Sequence, residues 1–238
     1  MVPDRSPASI WLRPERSGRG PAPAFDRDRL ASAGVAVADE RGLAAVTMRA
    51  VAQELGSAPA SLYRYVATRD ELIELMTDRV YGEISYDGLG TGRWLDDLLV
   101  LCRGVRGVYH RHPWLLDATA SGMPAGPRAA VFLEHALAAV AEVPVSARDK
   151  LEAVGVMNTV VASLSRTELA QRRAGRTMPQ WQRAHEEYLA RLTEAGGHPH
   201  VAAALAEPAA GGEGGEPAER LFDRLLGRVL TGLFQPGV

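Results

Sequence analysis

A single cysteine, Cys102, stands in the 238 residues. No intrachain disulfide can form, and a lone thiol fits a reducing, cytoplasmic setting. Long apolar runs are missing as well. None approaches the roughly 20 residues that cross a bilayer. Pro, Asp and Arg interrupt the first residues, where a signal-peptide core would lie. No membrane partner is expected. The motifs of chemistry are also absent: no glycine-rich phosphate loop, no nucleophile elbow. His110 and His112 are two apart and point to different faces of a helix, and His198 and His200 fall in a loop, so neither pair has metal-ligand spacing. Cys102 sits amid Val100, Leu101 and Val105 and reads as a core thiol rather than a nucleophile. No cofactor, no metal and no enzyme activity are expected. Nor does charge advertise nucleic acid, with 27 Lys and Arg against 29 Asp and Glu. A whole-chain balance averages over domains, however, and only a local patch must be positive.

What is present is helical pattern. Hydrophobic residues make up 46% of the chain, enough for a sizeable core in one large or two small domains. No strand-period run of convincing length appears, so the fold class is all-α. The most informative stretch is residues 47–69, TMRAVAQELGSAPASLYRYVATR. Val51 and Leu55 recur at i, i+4 on a first short helix. Ala52 sits where a larger side chain would push two helices apart. Gly56 suits a left-handed helix end, and Pro59 a first helical position. Leu62 and Val66 point one way from a second helix over 59–66, leaving Ser61, Tyr63, Arg64 and Tyr65 outward. That is a helix-turn-helix whose second helix can enter a major groove. Its charges, Arg49, Arg64 and Arg69 against Glu54, leave a small positive excess.

The flanks extend the pattern. Asp26 caps a first helix over 26–41, with Leu30, Ala33 and Val37 inward and Gly42 as its stop. Thr47 caps the next. Thr68 caps a fourth helix over 68–84, with Glu71 as capping-box partner and Leu72, Leu75, Met76 and Val80 buried. Residues 1–24, rich in Pro, Arg, Gly and Ala, predict a mostly disordered arm. Arg13, Arg16 and Arg19 in it can reach phosphates or a minor groove, against the plainer reading of a solvated tail. Glycine-rich residues 86–92 predict a domain boundary. Beyond it, helices are expected over 93–112, 128–142, 146–173, 179–195 and 218–234, with a short segment over 114–120 and 196–217 a mobile, low-complexity loop. The domains are therefore 25–85 and 91–238.

Residues 25–84 resemble the DNA-binding domain of the TetR family of bacterial regulators. FDRDRLASAGVAVADERG, LAAVTMRAVAQELG and PASLYRYVATRDELIELM hold the family's order and spacing. The rest, above all HRHPWLLDA and the long helix after Ser146, resembles the C-terminal domain of the tetracycline-repressor subfamily. The resemblance implies a homodimeric, ligand-responsive repressor that binds double-stranded palindromic DNA. The alternatives are a constitutive repressor without effector and a helical enzyme with a vestigial helix-turn-helix. By position, the resemblance implies DNA contacts from Arg49, Ala60, Ser61, Tyr63, Tyr65 and Arg69. Arg49 would read a base edge or a phosphate, Ala60 a thymine methyl. Tyr63 and Tyr65 would donate to phosphates, and Arg69 would clamp one beside a helix N-terminus. The family's usual Val is Ser57 here, and its usual Ser or Thr is Ala58. Ala58 cannot cap, a loss of about 1 kcal/mol, and Ser57 is left to cap one residue early.

A small-molecule effector is implied for the larger domain. Its candidate lining is Trp94, Cys102, Tyr109, Trp114, Met123, Met157, Asn158, Trp181 and His185, aromatics with a few polar groups. Asn158 lies within the apolar run AVGVMNTVVASL and needs a partner there. The histidine that holds a metal-chelated antibiotic in tetracycline repressors has no counterpart, so that ligand is not expected. The helices after Ser146 and over 218–234 are apolar over too wide an arc for surface helices and are candidate dimer elements.

Overall fold

The computed structural model describes residues 9–13, 25–120, 122, 124–175, 178–194, 196, 198–206 and 217–234. The side chains of residues 178, 179, 181–183, 186 and 194 lie outside that description. Every regular element among the described residues is a helix. The chain divides into two compact units, Met1–Glu142 and Val143–Val238.

The first unit begins with the head. Helix α1 runs Arg27–Arg41, started by Asp26, whose carboxylate accepts the Arg29 N–H at 2.7 Å. Gly42, at φ 81°, ends it. Leu30, Ala33 and Val37 are buried. At Gly34 α1 comes so close to the later helix α4 (Arg69–Tyr81) that a Cβ would lie 2.6 Å from the Met76 sulfur. Helix α2, Met48–Glu54, starts with the Thr47 hydroxyl accepting the Ala50 N–H at 3.1 Å. Gly56 turns the chain at φ 63°. Helix α3 is Pro59–Leu62, shorter than the expected 59–66. The backbone loosens into turns after Leu62, yet Leu62 and Val66 are both buried, so the inward pair holds without a continuous helix. Helix α4 starts with Thr68 Oγ1 accepting the Glu71 N–H at 3.1 Å. The reciprocal half of the box is displaced by one: Glu71 Oε2 accepts the Ala67 N–H at 2.6 Å.

Two segments differ from expectation. A 3₁₀ turn, Ile10–Leu12, stands inside the predicted disordered arm, with Ile10 fully buried. Arg13 pairs with Glu71, and the Arg27 guanidinium donates to the Arg13 carbonyl at 3.0 Å. One buried aliphatic side chain and one ion pair thus order residues that composition alone would leave loose. Arg16 and Arg19 lie outside the described residues. The second case is 196–217, expected as a loop. It contains helix α10, Pro199–Ala206, where Pro at the first position and an alanine run favour helix. Residues 207–216 are outside the description.

The first unit continues through α5 (Trp94–Arg111), α6 (Leu115–Ala118) and α7 (Pro127–Ala139). Asp97 of α5 accepts the Gly90 and Thr91 N–H groups, each at 3.2 Å, and so fastens the glycine-rich link. Helix α7 packs on both α4 and α5. The predicted sequence boundary at 86–92 therefore lies inside a single packing unit. In the second unit α8 (Ala147–Arg173), capped by Ser146, packs on α9 (Met178–Glu194) and α11 (Ala218–Leu233).

Candidate nucleic-acid interface

The head presents the expected side chains in two ways. Arg49 in the first turn of α2 and Ala60 in α3 are exposed, and Tyr63 is 57% exposed. Leu62 and Val66 hold α3 and its following turn against the core, so the intervening Tyr63 and Arg64 must face out. Tyr65 and Ser61 are half-buried.

Ser57 does not cap α3. Its hydroxyl meets Ser61 Oγ at 2.7 Å, and Ser61 in turn donates to the Ala58 carbonyl at 2.7 Å. The N-cap Ala58 offers no side-chain acceptor. The substituted turn is therefore stitched by a side-chain pair rather than by a cap, because the register puts Ser57 opposite Ser61 and not opposite a free N–H.

Arg69 has partners inside the head. Its Nε and Nη2 donate to the Val46 and Leu43 carbonyls, both at 2.7 Å. These are the carbonyls of the 3₁₀ turn between α1 and α2. The guanidinium ties the start of α4 to the entry of the helix-turn-helix. The spacing of Arg69 matched its family position, but partners 23 and 26 residues upstream have no local signature.

Of the effector residues, Cys102, Tyr109 and Trp114 are buried in the first unit and Trp94 is half-buried. Tyr109 Oη lies 3.3 Å from Thr119 Oγ1. The Trp114 indole N–H donates to Asp39 Oδ1 of α1 at 2.7 Å, so its polar edge serves the head rather than a ligand. Met157 and Asn158 are buried in α8, and Asn158 Nδ2 donates to the Val154 carbonyl at 3.1 Å. His185 is exposed on α9. Met123 and the Trp181 side chain lie outside the described residues.

Sequence reasoning missed the polar groups that join the head to α5–α7. His112, which ends α5, is buried. Its Nδ1 is 2.7 Å from Asp39 Oδ1, and its Nε2 is 3.1 Å from Glu83 Oε2. Asp78 on α4 is fully buried and accepts the Arg128 and Ala129 N–H groups of α7 at 2.8 and 3.0 Å. Burial pushes its carboxyl up, and the two N–H donors and the Arg128 charge pull only part of the way back. Asp28 on α1 receives both Arg79 and Arg128 at 2.6 Å. Burial works against its ionisation, but the Arg128 hydrogen bond and the two guanidinium charges outweigh it and hold Asp28 low. No periodicity marks such groups; the local hint is that α7 opens Gly-Pro-Arg, with nothing of its own to cap it.

The chain that carries this three-helix head, with its tight turn and outward polar-aromatic side chains, matches known proteins over nearly its whole length. Residues 30–76 match the model for bacterial regulatory proteins of the tetR family, and residues 88–235 match the tetracyclin repressor-like C-terminal domain. The chain belongs to the TetR family. A TetR-family chain is a DNA-binding transcriptional regulator, and the relatives carry that name. The HTH-type transcriptional repressor DrrR1 of Streptomyces coeruleorubidus is 35% identical over 94% of this chain and 83% of its own. An HTH-type transcriptional regulator of Saccharopolyspora erythraea is 32% identical over 67% of this chain and 68% of its own. Among solved structures, the TetR family protein ActR of Streptomyces coelicolor in complex with actinorhodin superposes with a TM-score of 0.70 at 26% identity, over 88% of this chain and 96% of that one. Its complex with (S)-DNPA gives a TM-score of 0.69 at 25% identity, over 89% and 98%. No described helix of this TetR-family chain is long and apolar enough to cross a membrane.

Proposed function

We propose that this regulator is a homodimeric repressor that leaves a palindromic operator when a small molecule binds its C-terminal helices. The observation that carries the reading is the outward α3 turn. Ala60 and Tyr63 are exposed on a head whose Leu62 and Val66 are buried, with Arg49 exposed on the neighbouring helix. Arg49 contacts a base edge or phosphate, Ala60 a thymine methyl, and Tyr63 and Tyr65 phosphates. Ser61 and Arg69 hold the surface in shape, given their partners within the head. The head is 25–85, and 91–238 carries effector and dimer functions. Dimerisation through α8 and α11 is supported by Leu151 and Val156, which leave 48% and 43% of their surface uncovered on α8. Two such helices from each subunit make a four-helix bundle. A twofold dimer sets its recognition segments about one DNA turn apart, ~34–36 Å.

The ActR complexes support an effector of the kind that protein binds. Trp94, Cys102 and Tyr109 are lining candidates within the first unit, and Met157 and Asn158 are candidates within the second. By linkage, the effector weakens DNA binding only as far as it prefers the non-binding geometry. The test is a gel-shift titration on the gene's own upstream DNA, with actinorhodin as the first probe. A retarded band at low salt that fades with added actinorhodin is expected. No band at micromolar protein defeats the regulator reading, and a band indifferent to actinorhodin and to related aromatic compounds defeats the effector half.

A further inference from the structure

Helix α7 has no cap of its own. Gly126 occupies the N-cap position and supplies no side chain, and Pro127 follows it. The missing acceptor comes from another element: Asp78 Oδ1 on α4 takes the Arg128 and Ala129 N–H groups at 2.8 and 3.0 Å. The fit is tight enough to fix the residue opposite. A Cβ on Gly126 would fall 2.2 Å from Asp78 Oδ1, so the carboxylate occupies the space a side chain would need. Arg128 then reaches onward, donating to Asp28 Oδ1 on α1 at 2.6 Å, while Arg79 of α4 donates to the other oxygen of Asp28 at 2.6 Å. Helices α1, α4 and α7 are thus closed into one loop of polar contacts around a buried carboxylate.

A fully buried carboxylate is costly unless something recovers the cost. The two amides and the nearby guanidinium do so only while α7 keeps its place. If the first turn of α7 shifts, Asp78 loses both donors in a site closed to water. Then α4 must follow, or the charge is stranded. We propose that Asp78 is the joint by which displacement of α7 is passed to α4, and so to the entry of the helix-turn-helix, which Arg69 of α4 holds by the Val46 and Leu43 carbonyls. Asp78 is a positioning residue in this role and touches neither DNA nor effector. The inference rests on the effector-released reading above and adds to it the contact that transmits release.

Asp78→Ala removes the acceptor, Asp78→Asn keeps an oxygen at the same place, and Gly126→Ala attacks the same contact from the other side. Each is compared with wild type for binding to the upstream duplex, for release by actinorhodin, and for amide exchange in α4 and α7. The Asp78→Ala and Gly126→Ala proteins are expected to bind the duplex within about three-fold of wild type but to need about ten-fold more actinorhodin for half release. The Asp78→Asn protein is expected to stay near wild type. Where Asp78→Ala fails to fold, Gly126→Ala carries the comparison. Unchanged actinorhodin sensitivity in both alanine variants overturns the joint. If wild type itself ignores actinorhodin, the effector choice has failed separately, and exchange decides. Faster exchange in the first turn of α7 that spreads into α4 supports the joint. Faster exchange confined to α7, or none, overturns it.

Discussion

At the scale of the residue, exposure separates side chains that can meet DNA from those that hold the head. Tyr63, more than half exposed, can lose its hydroxyl without disturbing the core. Tyr63→Phe is expected to lower operator affinity about three- to ten-fold with no change in Tm, as for one lost hydrogen bond to a phosphate. Fluorescence anisotropy on the operator duplex measures it, and unchanged affinity removes Tyr63 from the contact set. Arg49→Ala is expected to weaken binding and, if the contact is to a phosphate, to reduce the slope of log K against log salt by about 1. A slope left alone with relaxed base preference assigns Arg49 to a base edge instead. The buried carboxyl of Asp78 behaves oppositely to an ordinary surface acid. Its folded pKa is raised above the unfolded value, chiefly by burial. Its contribution to stability is therefore greatest below the unfolded value and is lost as pH rises through the folded one. The Tm difference between wild type and Asp78→Asn is expected to shift in favour of wild type as pH is lowered from about 7 towards 4. Asp28, held low by Arg128 and Arg79 against its own burial, gives the opposite trend: its contribution fades as pH falls through its folded pKa.

At the scale of the element, the head depends on how its short helices begin and end. Helix α3 starts on an uncapped Ala58. Ala58→Ser is expected to stabilise the head by about 1 kcal/mol, read as a rise in Tm, because it restores an acceptor for a free N–H. A fall would mean that the Ser57–Ser61 pair does not tolerate a third hydroxyl. The N-terminal turn is a second lever. Ile10 is fully buried, and Arg13 pairs with Glu71 in the first turn of α4. Ile10→Ala is expected to cost about 2–5 kcal/mol of stability. Denaturant titration checks this, and a cost near zero would show that the turn detaches freely. The short elements around α3 were the least legible part of the pattern. Leu62 and Val66 announced an inward face, but nothing local said that regular helix would end between them. Arg69 looked like a phosphate ligand because its position matched, while its carbonyl partners lie on a turn beyond α2.

At the scale of the whole molecule, the expected particle is a dimer of 25.5 kDa chains. Light scattering should give about twice that mass. Placing a charge at Leu151 or Val156 of α8 should lower the mass towards one chain; a dimer indifferent to both substitutions puts the interface elsewhere. Footprinting should protect two half-sites related by a twofold axis, with centres about one helical turn or slightly more apart.

Much of this protein was written along the chain itself. Helix starts at Asp26, Thr47, Thr68 and Ser146, the turn glycine Gly56, the buried faces of α1 and α4, and the family follow from spacing and residue type, because those interactions reach only three or four residues. The folded structure alone decided what joins across the chain. It set Asp78 beneath α7, seated His112 between Asp39 and Glu83, turned Arg69 inward and docked Ile10. Such contacts link positions tens of residues apart. A side chain's partner at that distance is chosen by how the helices pack, and packing leaves no periodic trace in the residues that come to meet.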